Sequence, residues 1–130
     1  MKTILVIDDE PDLRESICEV LSFEGYTTID ADNGKTGLKA MQTTTPDLIL
    51  CDIMMPEMNG IEFYKKIRKQ DETREIPFIF ISACADGLEQ HGPLPCNDFH
   101  VLPKPFHIGK LITKVNLVFE GKDGIKSSGN

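Results

Sequence analysis

No run of apolar residues here approaches the length of a membrane span, and no glycine-rich phosphate loop, internal repeat or low-complexity tract occurs in the 130 residues. A spanning helix needs about 20 apolar residues, so none is expected. The N-terminal MKTILVIDDE has one lysine, a short apolar run and then acids, which is neither a secretory signal nor an anchor. Basic residues are the minority, 14 Lys and Arg against 21 Asp and Glu for a net charge of -7. That balance excludes a general nucleic-acid binder and gives no reason to expect an anionic membrane surface as partner. Also missing is any Cys-x-x-Cys pair. Cys18, Cys51, Cys84 and Cys96 show no metal-ligand spacing with His91, His100 or His107. Cys18 and Cys51 lie on apolar runs and read as small core residues, Cys84 and Cys96 fall in loop-like sequence, and the expected compartment is the cytoplasm, without disulfides.

What is present centres on LILCDIMMPEMNG, Leu48 to Gly60. Leu48, Ile49, Leu50 and Cys51 form an uninterrupted apolar run, the pattern of a strand buried on both faces of a parallel sheet. The run stops at Asp52, and Pro56, Asn59 and Gly60 follow as turn residues. Asp52 therefore belongs at the carboxyl end of a strand, the edge where open α/β sheets bind ligands.

The rest of the chain repeats this plan. Thr3 to Ile7 is a strand ending in Asp8, Asp9 and Glu10. Pro11 opens a helix striped by Leu13, Ile17, Val20 and Leu21 and ended by Gly25. Thr27 to Ala31 is a weaker strand, followed by an Asp32-Asn33-Gly34 turn and a helix carrying Leu38 and Met41 to about Thr43. A helix through Ile61, Tyr64 and Ile67 turns its basic residues to water. Ile76 to Ile81 is a second buried strand, with Ser82 just beyond it. Between Ser82 and Phe99, Gly87, Gly92, Pro93 and Pro95 allow only a short or irregular fourth helix. Phe99 to Leu102 is the last strand, Lys104 lies in the turn after it, and Ile108, Leu111, Ile112, Val115 and Val118 stripe a final helix. The domain spans 1–120; 121–130 reads as a flexible tail or the start of a linker. Five strands alternating with helices predict an α/β fold, a doubly wound parallel sheet covered on both faces.

In such a sheet Asp8, Asp9, Asp52, Ser82 and Lys104 converge on one edge from four strands. Uncompensated carboxylates there repel one another, so the arrangement asks for a hard cation, Mg²⁺ or the similar Mn²⁺. Lys104 supplies a point charge and Ser82 a hydroxyl for phosphate oxygens, and a carboxylate can accept phosphorus as an aspartyl phosphate. Met54, Met55 and Met58 read as loop anchoring and core filling. His100 falls off the active edge by alternation and reads as structural.

These residues carry a resemblance. The acidic pair Asp8-Asp9, the D-x-x-M-P-x-M-x-G stretch from Asp52 to Gly60, Ser82 and Lys104-Pro105-Phe106 resemble a response regulator receiver domain of two-component signalling, over Lys2 to about Phe119. The resemblance implies a flavodoxin-like sheet of order 2-1-3-4-5. It implies that Asp52 takes phosphoryl from a sensor histidine kinase or histidine phosphotransfer protein. Asp9, Asp52 and the backbone carbonyl of Met54 would bind Mg²⁺, Asp8 acting through water, with Ser82 and Lys104 on the phosphoryl oxygens. It further implies a surface switched toward a downstream protein, a monomer or phosphorylation-dependent dimer, and no separate substrate turnover. One position departs. Val101 stands three residues before Lys104, where the family usually has Tyr or Phe, so the usual aromatic rotamer switch is absent or replaced. Two other readings are weaker. An aspartyl-nucleophile phosphohydrolase needs an acid two residues after the nucleophile, where this chain has Met54, and a nucleotide-binding module needs a G-x-G-x-x-G or P-loop after the first strand.

Overall fold

Successive residues of a strand face opposite ways, and in this computed structural model each face of the central strands is covered. The described residues are 1–82 and 99–128, with side chains described to 120. The element order is β1 (Thr3–Ile7), α1 (Pro11–Phe23), β2 (Thr27–Ala31), α2 (Gly34–Met41), β3 (Leu48–Asp52), α3 (Gly60–Arg68), β4 (Phe78–Ser82), β5 (Phe99–Pro103) and α4 (Ile108–Ser128). All strand pairs are parallel, and the sheet runs β2-β1-β3-β4-β5. This is the doubly wound sheet expected. The expected short or irregular helix between Ser82 and Phe99 lies outside the described residues, as do Cys84 and Cys96. The last helix continues past Gly121, through residues read from the sequence as a tail.

The alternation divides the core in two. Leu5, Ile7, Ile49, Cys51, Phe78 and Phe80 face α3 residues Ile61, Phe63, Tyr64 and Ile67, with Leu38 and Met41 of α2 packed against them. Ile4, Val6, Leu48, Leu50, Ile79 and Ile81 face Ile17 and Leu21 of α1 and Leu111, Val115 and Val118 of α4. At ~25 cal/mol per Å² of apolar surface, each of these fully buried side chains contributes about 1.5–3 kcal/mol against the entropy of ordering the chain. The Tyr26 hydroxyl donates to Asn116 Oδ1 and the Tyr26 ring lies 5.5 Å from that of Phe119, fastening α4 beside α1.

Two expectations are corrected. The basic residues of α3 do not all face water, because Arg68 is buried; its guanidinium lies 5.0 Å over Tyr64 and 5.9 Å from the Phe78 ring centre, and it donates to the Thr73 carbonyl at 3.3 Å. Arg68 falls four residues after Tyr64, hence on the buried side of the helix. The methionines divide as well. Met55 and Met58 pack against the core as anchors, but Met54 is 69 % exposed and fills none.

Candidate functional site

The carboxyl ends of β1 and β3 build the site first. Their register pairs Ile7 with Cys51, so Asp8 and Asp52 stand one step further on, continuing the rows Ile4-Val6 and Leu48-Leu50 on the same face. Burial follows from position: Asp8 is fully buried and Asp52 nearly so. Two like charges buried side by side need a cation, and β5 delivers one. The Lys104 ammonium lies 2.9 Å from Asp52 Oδ2, 3.2 Å from Asp8 Oδ2 and 3.1 Å from Glu10 Oε1. Register fixes that reach, since Ser82 pairs with Pro103 and the Ser82 carbonyl accepts the Lys104 N–H at 2.7 Å. Ser82 is itself buried beside the cluster.

Hydrogen bonds set the remaining carboxylate oxygens. Asp8 Oδ1 accepts the Glu10 N–H at 2.9 Å, and Asp52 Oδ1 accepts the Met54 N–H at 3.3 Å. The Asp8 carbonyl accepts from Arg14 Nη1 at 2.7 Å, while Arg14 Nε bonds Asp30 Oδ2 at 2.9 Å. Asp8 Oδ2 is different. It is buried and within ion-pair distance of Lys104, yet it accepts no hydrogen bond. Burial, the largest influence, pushes the Asp8 carboxyl up and the Asp52 charge adds to this, while the Glu10 N–H bond and Lys104 only partly offset them. Burial alone would lower the Lys104 ammonium, but its hydrogen bond to Asp52 and the charges of Asp52 and Asp8 outweigh that, holding it above the usual lysine range.

A divalent cation fits these residues. Asp8, Glu10 and Asp52 each offer an oxygen within 4.8 Å of the others, and Asp8 Oδ2 is a buried oxygen without a hydrogen-bond donor. Hard cations are held by such all-oxygen sets with part of their hydration retained. The sequence expectation gathered Asp8, Asp9, Asp52, Ser82 and Lys104 at one edge. Asp8, Asp52 and Lys104 are in direct contact and Ser82 is adjacent, but Asp9 is exposed and outside the carboxylate group. Glu10, not singled out from the sequence, is inside it. The available signal was a third consecutive acid after β1. Val101 is half-buried against the aromatic face of the core beside Phe99, whose ring packs edge-on at 5.1 Å from Phe80 and 5.5 Å from Tyr64. His100 is exposed on the edge strand.

The loop after Asp52 is held closely. Gly60 donates to the Ile53 carbonyl at 2.9 Å, and Gly34 of α2 donates to the Met58 carbonyl at 3.1 Å. Asn59 closes a capping box with Glu62 at the start of α3. Glu57 adopts φ 66°, the left-handed region that costs a residue with a Cβ about 1–2 kcal/mol. Its carboxylate pairs with Lys35 at 3.4 Å between well-exposed side chains, worth little. Glu57→Val, which adds a β-branch at this φ, is expected to cost about 1–2 kcal/mol, whereas Glu57→Gly stays within about 0.5 kcal/mol of the native chain. Urea unfolding midpoints check this; equal losses in both variants would make the ion pair, not the backbone, the determinant.

Comparison with known proteins agrees with the geometry. The family model described as "response regulator receiver domain" matches residues 4–116. The phosphate regulon transcriptional regulatory protein PhoB of Escherichia coli (strain K12) is 30 % identical over 117 residues, covering 90 % of this chain and 51 % of PhoB. The chain thus spans about half of that relative. Among solved structures, the signal receiver domain of a signal transduction histidine kinase from Syntrophus aciditrophicus superposes with a TM-score of 0.83 at 29 % identity, covering 93 % of this chain and 92 % of that one. The response regulator protein TrrA from Thermotoga maritima, solved in complex with Mg(2+)-BeF, gives a TM-score of 0.74 at 33 % identity, covering 91 % and 99 %. Among the described residues, no helix is long and apolar enough to cross a membrane. A family match over most of the chain, on a parallel 2-1-3-4-5 sheet whose strand ends gather two buried aspartates around a lysine, shows that this chain belongs to the response regulator receiver domain family of two-component systems.

Proposed function

We propose that this domain accepts a phosphoryl group on Asp52 from a sensor histidine kinase or histidine phosphotransfer protein, and presents an altered surface to a downstream protein while the group is attached. The observation that carries the reading is the Lys104 ammonium set between Asp8 and Asp52 at 3.2 and 2.9 Å. A single lysine is thereby placed to leave its carboxylates for phosphoryl oxygens. In the transfer an Asp52 carboxylate oxygen bonds to phosphorus as the bond from phosphorus to the donor's nitrogen breaks, and the leaving imidazole keeps that electron pair and takes a proton. The Met54 N–H orients Asp52 through Oδ1, and Lys104 balances charge that builds on the phosphoryl oxygens.

Asp8, Asp9 and Asp52, with the Met54 carbonyl, are the residues we assign to hold Mg²⁺ or Mn²⁺; when bound, the ion would neutralise charge on the phosphoryl group as the Asp52 oxygen attacks. Ser82, buried at the end of β4, is the hydroxyl we assign to the phosphoryl group. Replacing carboxylate by acyl phosphate changes the local charge, and the edge strand β5 is tied to the site by the Lys104 N–H bond to Ser82. Val101 offers no aromatic ring to turn inward, so the change is carried by backbone and packing at β4 and β5. The domain works in the cytoplasm, turns over no separate substrate, binds no nucleic acid or membrane directly, and is a monomer or a phosphorylation-dependent dimer.

Intact mass after incubation with acetyl phosphate and Mg²⁺ tests the assignment. The native chain is expected to gain one phosphoryl group, and Asp52→Asn, or the native chain in EDTA, to gain none. A gain that persists in Asp52→Asn would refute Asp52 as acceptor.

A further inference from the structure

Glu10 stands at the N-cap of α1, yet its side chain makes no capping hydrogen bond. The other two helices with a described cap begin on Asn33 and Asn59, each closing a capping box. Glutamate is a poor choice for the task that those asparagines perform. Its carboxylate reaches instead across the site to the Lys104 ammonium, 3.1 Å away and 94 positions along the chain. A local rule broken in this way points to a use elsewhere.

An ammonium has three N–H groups, and three carboxylates surround this one: Asp8, Glu10 and Asp52. Lys104 donates hydrogen bonds to two of them, Glu10 and Asp52, and a phosphoryl oxygen held by the same ammonium competes with these carboxylates for its charge. Asp8 is fully buried, and Asp52 is the residue to be modified. Glu10, with its side chain 63 % exposed, is the partner that can let go. Its charge also repels an arriving phosphoryl oxygen of like sign. We propose that Glu10 is a specificity-determining residue of the acceptor site, an electrostatic gate that competes with the incoming phosphoryl group for Lys104 and so weakens binding of free phosphoryl-like anions. This rests on the phosphoryl-acceptor reading above. It gives Glu10 a role toward Lys104 and not toward the cation, for which the buried, donorless oxygen of Asp8 is the better ligand.

Calorimetric titration with beryllofluoride at saturating Mg²⁺ tests the gate on the full chain. An exposed ion pair is worth at most a fewfold in an equilibrium. Glu10→Gln and Glu10→Ser are therefore expected to bind beryllofluoride about three- to fivefold more tightly than the native chain. Affinity for Mg²⁺ alone is expected to stay within about twofold of native. Glu19→Gln, an exposed charge change further along α1, is expected to match native and controls for net charge. Serine can cap α1 and glutamine caps poorly, so equal gains in both variants separate the gate from helix stability. Unchanged or weaker beryllofluoride binding in the Glu10 variants, with the native chain binding normally, overturns the gate; weaker binding together with loss of Mg²⁺ affinity makes Glu10 a cation ligand. No beryllofluoride binding by the native chain or any variant would remove the phosphoryl-acceptor reading and the gate with it.

Discussion

Gly60→Ala is expected to lose at least about 3 kcal/mol of stability and most of its ability to accept phosphoryl on Asp52, a larger effect than alanine at any other glycine described here. A Cβ built on Gly60 falls 2.1 Å from the Asp52 carbonyl oxygen and 3.0 Å from both the Asp52 carbonyl carbon and Ile53 Cα. These are backbone atoms with no rotamer to yield, and they belong to the peptide that joins Asp52 to Ile53. Either α3 backs away, breaking the Gly60 N–H bond to the Ile53 carbonyl at 2.9 Å, or the Asp52 peptide shifts and takes its carboxylate from Lys104. Forced overpacking of this kind typically costs 1–3 kcal/mol or more where side chains can adjust, and more where they cannot. In a domain of this size about 3 kcal/mol lowers Tm by roughly 10 °C or more. Gly37→Ala is the internal comparison. Its Cβ would meet Ile7 Cδ1 at 2.7 Å and Phe63 Cε1 at 3.2 Å, both side-chain atoms, so a smaller loss is expected with acceptance of phosphoryl retained. Thermal melts and acetyl phosphate mass shifts on the two variants check the contrast. Equal behaviour would mean that the Asp52 loop has more freedom than its contacts with α3 indicate.

The same geometry shows which features were legible in the sequence. LILCD has the pattern of a doubly buried strand, four consecutive apolar residues too short for a helix and bounded by turn residues, and parallel connectivity then made Asp8, Asp52, Ser82 and Lys104 neighbours. Strand boundaries moved by a residue or two: β4 begins at Phe78, not Ile76, and includes Ser82, because pairing with β5 decides where a strand stops. Arg68 was legible in principle. It shares the helical face of Tyr64, but a guanidinium stacked on two rings is recognised only when Phe78 arrives from another strand. The contact of Glu10 with Lys104 was not legible. An acid just before Pro11 reads as the charged start of a helix, and only the fold brings Lys104 across to claim its carboxylate instead. Met54 is the reverse case, since an apolar side chain in a turn reads as an anchor until the fold shows which of the three methionines faces outward.

Asp8→Asn is expected to make the chain more stable in EDTA and less responsive to Mg²⁺. The folded-state pKa of Asp8 is raised, chiefly by burial. For a carboxylate raised in this way the native state binds its proton more tightly than the unfolded chain. Stability therefore falls as pH rises from the ordinary Asp value through the raised one, and at neutral pH the full cost of the buried charge is present. Asparagine removes that charge, and its side-chain carbonyl can keep the hydrogen bond that Asp8 Oδ1 accepts from the Glu10 N–H. Relief of an incompletely satisfied buried group is worth about 1–3 kcal/mol, so Tm in EDTA should rise by several degrees, and the native chain's loss of stability as pH rises above the ordinary Asp value should flatten. Mg²⁺ narrows the difference. Ligand at about ten times its Kd adds roughly 1.4 kcal/mol to the chain that binds it, and the variant, with one carboxylate fewer, should gain only a small part of this. Melts of both chains with and without Mg²⁺, across pH, complete the test. A variant less stable than the native chain in EDTA would show that Lys104 already compensates Asp8 in full, and an undiminished Mg²⁺ shift would take Asp8 out of the cation site. A narrowed difference would mean that the cost of burying the Asp8 carboxylate, carried in full by the chain in EDTA, is offset in part when a cation binds beside it.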